Sequence, residues 1–284
     1  MALGSLVLAR LVSYALLLAM AGLPFYALVH GRRVLSAPER MSLAILMVGA
    51  LGASLWWAVA DVAEMAGLPV GDLDQETFSA VLGATPLGAL LAARAAMLAA
   101  FGALLALAPM PLLLTMAALP ALASVAWAGH AGAGEGAPGL LLRASDILHL
   151  AAASLWTGAL LAFLSAIRRQ RQRADLLRSL SDFARVGTAV VATLFVTGLL
   201  NIWFISARQW PSGRWPLLIA LKFVLFLAML GFAAHNRWRM VPALAEGRPG
   251  AALHLRRSLV LETACAFAIV AVVALAGQLD PHGG

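Results

Sequence analysis

Charge is what this chain of 284 residues has least of: Asp, Glu, Lys and Arg make up 12% of it, against about a quarter in an ordinary globular protein. Polar stretches are short as well, the longest running to about 20 residues, so no soluble domain fits between the apolar ones. Cysteine is nearly absent. The single Cys265 excludes a disulfide within the chain and every CxxC metal motif. Internal repeats and low-complexity tracts are missing too.

What is present is apolar. Hydrophobic residues make up 62% of the chain and the mean hydropathy is +0.91. They come in blocks of about 20, the length a helix needs to cross a hydrocarbon layer about 30 Å thick. The expected fold is all-α: a single membrane domain over 1–284, a polytopic bundle of about eight helices. The helices are expected near 6–29, 41–66, 87–108, 111–130, 144–167, 183–206, 215–238 and 257–277. Block one has Arg10 early and His30-Gly31-Arg32-Arg33 directly after it, which reads as a retained helix rather than a cleaved leader.

The net charge of +7 does not point to nucleic acid, because the basic residues sit in short loops, where they act as topology signals. Arg32, Arg33 and Arg40 follow the first block, Arg168, Arg169, Arg171, Arg173 and Arg178 the fifth, and Arg237, Arg239, Arg248, Arg256 and Arg257 the seventh. The opposite side holds Arg143, Arg208 and Arg214, with the acidic loop of Asp72, Asp74 and Glu76. That division places 168–181 and 239–257 in the cytoplasm, 67–84 and 131–143 outside, and both termini outside. Residues 72–84 are expected to form a short interfacial helix with Phe78, Val81 and Leu82 as its apolar stripe, and 131–139 an outer loop.

Polar groups inside apolar blocks are costly and normally face protein or water. Helix two presents Trp57, Asp61, Glu64 and Met65 near its outer end, at a spacing that puts them on one face. Helix four ends in Trp127-Ala128-Gly129-His130; helix five begins with Asp146 and His149, with Trp156 deeper on the same stripe. Arg94, Lys222, Thr197, Asn201 and Trp203 come to the same level. The outer third of the bundle therefore collects polar residues from six helices, while the inner half has Glu262, His235 and His254.

Structural readings stand beside functional ones. Asp61 and Glu64 either pair with Arg94 and Lys222 to tie helices together or contribute to a site. His130 is either a helix cap or a ligand, and His149 an interfacial histidine or a ligand. The tryptophans mostly fit interfacial belts. Met20, Met97 and Met229 fit packing, Cys265 an inert core thiol, and Glu262 a partner for Arg256, Arg257 or Arg185. As a site, two histidines with carboxylates nearby suit copper, zinc, iron or nickel. Asp146, one turn from His149, is the expected orienting partner.

The stretch Asp146-Ile-Leu-His149-Leu-Ala-Ala-Ala-Ser-Leu-Trp156-Thr-Gly158 resembles the hallmark helix of the CopD-type copper-resistance membrane proteins. Gly129-His130-Ala131, Phe183, Thr197-Gly198, Asn201, Lys222, Asn236-Arg237 with Pro242, and Ser258 with Glu262 follow in the same order. The resemblance implies a bacterial inner-membrane protein of copper homeostasis, often acting with a periplasmic copper-binding partner of the CopC type. No such domain is fused here, so any partner is expected to be separate. A Met-rich or His-rich periplasmic tail is also lacking.

The expected function is thus copper transport or homeostasis from the periplasmic side. His130, His149, Asp61 and Glu64 are the candidate ligands, and Asp146, Trp156, Asn201, Arg94 and Lys222 support them. No ATPase-like domain fits, so movement of copper is expected to be passive or coupled to an ion gradient, and no enzymatic activity is expected. The alternatives are a metal sensor or assembly factor that does not transport, and a haem-binding electron-transfer bundle.

Overall fold

The computed structural model describes residues 2–128, 136–169, 172–206 and 211–281, and helices are its regular structure throughout. Seven helical stretches are long and apolar enough to span a membrane: α1 (Ala2–Val29), α2 (Ala37–Ala66), α4 (Pro86–Leu107), α6 (Gly136–Arg168), α7 (Arg173–Ile205), α8 (Trp215–His235) continued by α9 (Val241–Ala245), and α10 (Ala251–Ala276). The chain is a polytopic helical membrane protein. The eighth expected span is shorter: α5 covers Pro111–Ala123 and tightens into a 3-10 turn over Ser124–Trp127. Pro120 lies inside its last turns, where it has no N–H to give to the preceding turn. The last two positions of the predicted span, 129 and 130, lie outside the described residues.

Local chemistry sets several boundaries. Ser36 and Glu39 form a capping box at the start of α2: the Glu39 carboxylate accepts from the Ser36 backbone N–H at 2.8 Å. Arg32 grips the same carboxylate with two bonds of 2.6 and 2.7 Å, and that bidentate contact holds the guanidinium above its ordinary pKa. The expected short outer helix is α3 (Gln75–Ala84), capped by Asp74, which accepts from Thr77 N–H at 2.7 Å. That hydrogen bond favours the charged carboxylate and lowers its pKa. Phe78, Val81 and Leu82, the expected apolar stripe, pack against a buried cluster that includes Trp57 and Leu87.

α1 is the central post of the bundle, packed against α2, α5, α6 and α10. Its Leu17, Met20 and Ala21 are fully buried. The closest crossing is with α6, where Gly22 meets Gly158 and Ser154 backbone to backbone; a Cβ on either glycine would collide with the facing carbonyl. Small residues let membrane helices approach this closely. α7 packs on α6 and α8 on α10, and α7 and α8 approach each other through Phe195 and Phe223, whose ring centroids are 6.5 Å apart. A cleft runs between α7 and α8, floored by α6 and α10. The tryptophans divide: Trp127, Trp203 and Trp238 are exposed as a belt requires, whereas Trp57, Trp156 and Trp215 are buried in the bundle.

Candidate functional site

Antiparallel packing sets the register between α6 and α7. Moving three residues inward along α6, from Asp146 to His149, matches moving four back along α7, from Asn201 to Thr197. Two polar contacts follow: Asn201 Nδ2 donates to Asp146 Oδ1 at 3.2 Å, and His149 Nδ1 lies 2.9 Å from Thr197 Oγ1. Gly198 lies beside the imidazole, where a Cβ would make ordinary contact with His149 Cε1 at 3.7 Å. Ser145 Oγ adds a bond to the Thr197 carbonyl at 3.3 Å.

The Thr197 hydroxyl has one proton, and the Thr193 carbonyl 2.5 Å away takes it. Its lone pairs then face His149, so Nδ1 is the protonated nitrogen and Nε2 keeps a free lone pair. The orienting partner is therefore Thr197, not Asp146 as the spacing along α6 predicts. The neighbouring helix presents an acceptor directly across the interface, and Asp146 is engaged by Asn201 instead. Thr197 stands at the predicted depth, but its pairing needed the helix register.

His149 lines two adjoining cavities. The outer one, about 200 Å³, also carries Arg10, Tyr14, Asp146, Asn201 and Lys222. The deeper one, about 130 Å³, carries Lys222, Trp156, Thr157, Gly198 and Met229 among apolar neighbours. Met229 and Met20 are core packing residues.

The other predicted residues fall elsewhere. Asp61 faces Arg10, with Nη2 and Oδ1 3.6 Å apart, rather than Arg94 or Lys222. Arg10 also donates to the Gly277 carbonyl at 3.1 Å, tying α1 and α2 to the C-terminal end of α10, where the helix dipole favours a cation. A lone arginine in an apolar block was the available signal for this tie. Glu64 occupies the last turn of α2 and is exposed. Arg94 is fully buried, donates to Ser124 Oγ at 2.7 Å and lies over the Trp57 ring with Cζ 4.8 Å from its centroid, a cation–π contact.

Trp156 turns away from the outer cluster and donates to Glu262 Oε1 at 3.1 Å. Glu262 is bound by Trp156 and by Asn236 Nδ2 at 2.9 Å, not by Arg256, Arg257 or Arg185. At about 100° per residue, Arg256 and Arg257 lie on other faces of α10. His130 is outside the described residues. Among those described, no three His, Cys, Asp or Glu side chains gather where they could hold one metal ion. Asp61, Glu64 and His149 do not converge.

Two family models match the chain: copper resistance protein D over 177–276, and the N-terminal domain of copper resistance protein D-like proteins over 1–140. The stretch Asp146–Gly158 lies between these ranges. Copper resistance protein D of Pseudomonas syringae pv. tomato is 34% identical over 176 residues, 57% of this chain and 56% of that protein. Inner membrane protein YebZ of Escherichia coli (strain K12) is 27% identical over 175 residues, 61% of this chain and 60% of that protein. The chain thus matches under two thirds of the length of either relative. No solved structure matches it.

Proposed function

Because the chain belongs to the copper resistance protein D family, we propose that it takes copper from the periplasmic side of the bacterial inner membrane, as a homeostasis protein that moves the ion and not as an enzyme. The observation that carries this reading is the state of His149. Its Nδ1 lies 2.9 Å from Thr197 Oγ1; with that hydroxyl donating to the Thr193 carbonyl, Nε2 is the nitrogen left to bind on a residue lining two cavities. Neutral imidazole with a fixed tautomer is a good ligand for copper.

Copper is the cargo here. One imidazole does not hold it, and His130, which lies outside the described residues, is the second ligand in this reading. Lys222 and Arg10 line the same outer cavity and oppose a cation, while Asp146 supplies the opposite charge. This balance suits brief residence rather than tight storage. A periplasmic copper-binding protein of the CopC type is the proposed donor.

The test is a copper titration of purified, folded protein. His149→Ala and His130→Ala should each lose most of the affinity, and the double variant should be little worse. Normal binding in both single variants would overturn the site. Uptake of copper into sealed vesicles then separates transport from sensing, and absorbance of the purified protein shows whether haem is present.

A further inference from the structure

The inner half of the bundle holds a carboxylate for which a copper site at His149 has no use. Glu262, mid-way along α10, is 3% exposed. Each of its oxygens accepts one bond from a neutral donor, Trp156 Nε1 at 3.1 Å and Asn236 Nδ2 at 2.9 Å. Among the described residues it makes no ion pair. Two neutral donors do not compensate a full charge in a low dielectric, and a buried group in that position commonly neutralises itself by taking a proton.

The choice of asparagine matters. An arginine at 236 would favour the ionised form alone. An amide presents N–H to a carboxylate and, after half a rotation, its oxygen to a carboxylic acid O–H. Asn236 Oδ1 is buried with no hydrogen-bond partner, so an acceptor stands ready beside Oε2. Asn236 also opens a π-helical turn, Asn236–Met240, that ends just before Pro242. Proline withholds an N–H from the ladder, and wide turns of this kind often mark working positions.

Space is available as well. Glu262, Asn236 and Trp156 line a cavity of about 450 Å³ between α7 and α8, with Arg237 and Trp238 on its wall at the end bearing the basic loops. Arg237 is the other titratable side chain on that wall. Its Nη1 is directed to the Ala184 carbonyl at 3.3 Å and Thr188 Oγ1 at 3.5 Å. Trp156 lines the deeper His149 cavity too, so one indole forms a wall of both.

We propose that Glu262 is an inner proton-carrying site, with Asn236 turning to serve either protonation state and Trp156 standing between it and the His149 cavity. The carboxylate takes a proton from water in the inner cavity and returns it there; no other bond changes. Protonation from the inner cavity makes copper movement respond to the pH on that side, so this deepens the copper reading and rests on it only for that response.

Infrared difference spectra of the reconstituted full-length protein, taken without copper across the pH range in which it stays folded, test the protonation directly. The wild type should show a carboxylic C=O band that grows as pH falls. Glu262→Gln should lose that band, Glu262→Asp should keep one, and Asn236→Val should shift its position and its midpoint. Spectra in which Glu262→Gln removes no titrating band would overturn the proposal, whatever copper does. In vesicles, an imposed pH gradient should change copper uptake by the wild type, and that response should be lost in Glu262→Gln with outer-site copper affinity unchanged. Equal responses in both would overturn the coupling while leaving the copper site standing.

Discussion

Thr197 Oγ1 stands 2.9 Å from His149 Nδ1 and 2.5 Å from the Thr193 carbonyl, so a threonine on α7 fixes which nitrogen of a histidine on α6 is free. The same arrangement orients metal-binding histidines in general: the second nitrogen is tied so that the first is presented.

Removing that acceptor should therefore act on copper without touching the ligand. Thr197→Val is expected to weaken copper binding about 10- to 100-fold, the usual effect of losing an outer-shell partner. Thr197→Ser should bind nearly as the wild type does. A copper titration of the two purified variants checks this, and wild-type affinity in Thr197→Val would mean the imidazole needs no such partner.

The crossing of α1 and α6 leaves no room for a methyl group. Gly158→Ala or Gly22→Ala should lower the thermal midpoint in detergent by an overpacking cost of about 1–3 kcal/mol, at the upper end because the obstacle is backbone. Gly231→Ala is the control, since nothing lies within 4 Å of a Cβ there. Equal melting of Gly158→Ala and Gly231→Ala would show that the helices can separate freely.

Arg10 and Asp61 have side chains only 10% and 13% exposed. Breaking such a pair from one side strands a charge, at a cost of about 3 kcal/mol. Asp61→Asn and Arg10→Gln should each melt earlier than the wild type. The double variant Arg10→Met with Asp61→Leu should recover much of the loss. A double variant as unstable as the sum of the singles would show that the two residues act independently.

Orientation is open to labelling in a Cys265→Ser background. A cysteine placed at Gln172, between α6 and α7, should resist a membrane-impermeant reagent added to the periplasmic face, whereas one at Gly71, just before α3, should react. The reverse pattern would invert the bundle and put His149 on the cytoplasmic side.

Much of this was legible in the chain itself. Block length and the scarcity of charge dictate membrane-spanning helices, because no other structure satisfies the backbone in hydrocarbon. The stripe of Phe78, Val81 and Leu82 foretells α3. The depth of Asp146, His149, Thr197 and Asn201 follows from counting residues along their helices at 1.5 Å each.

Partnership was not legible, because depth along a helix says nothing about rotation around it or about which neighbour lies opposite. Asp61 and Arg94 share a level, yet Asp61 pairs with Arg10 of α1, while Arg94 turns to Trp57 and Ser124. Glu262 has arginines near it in sequence, but the face it occupies on α10 points at α6 and so meets Trp156. The sequence by itself determined that the bundle spans a membrane and that its polar groups gather toward one end, since both depend on composition along each helix. Tertiary structure alone decided which of those groups touch, since helix rotation and register are set by how small residues such as Gly22 and Gly158 let particular faces close together.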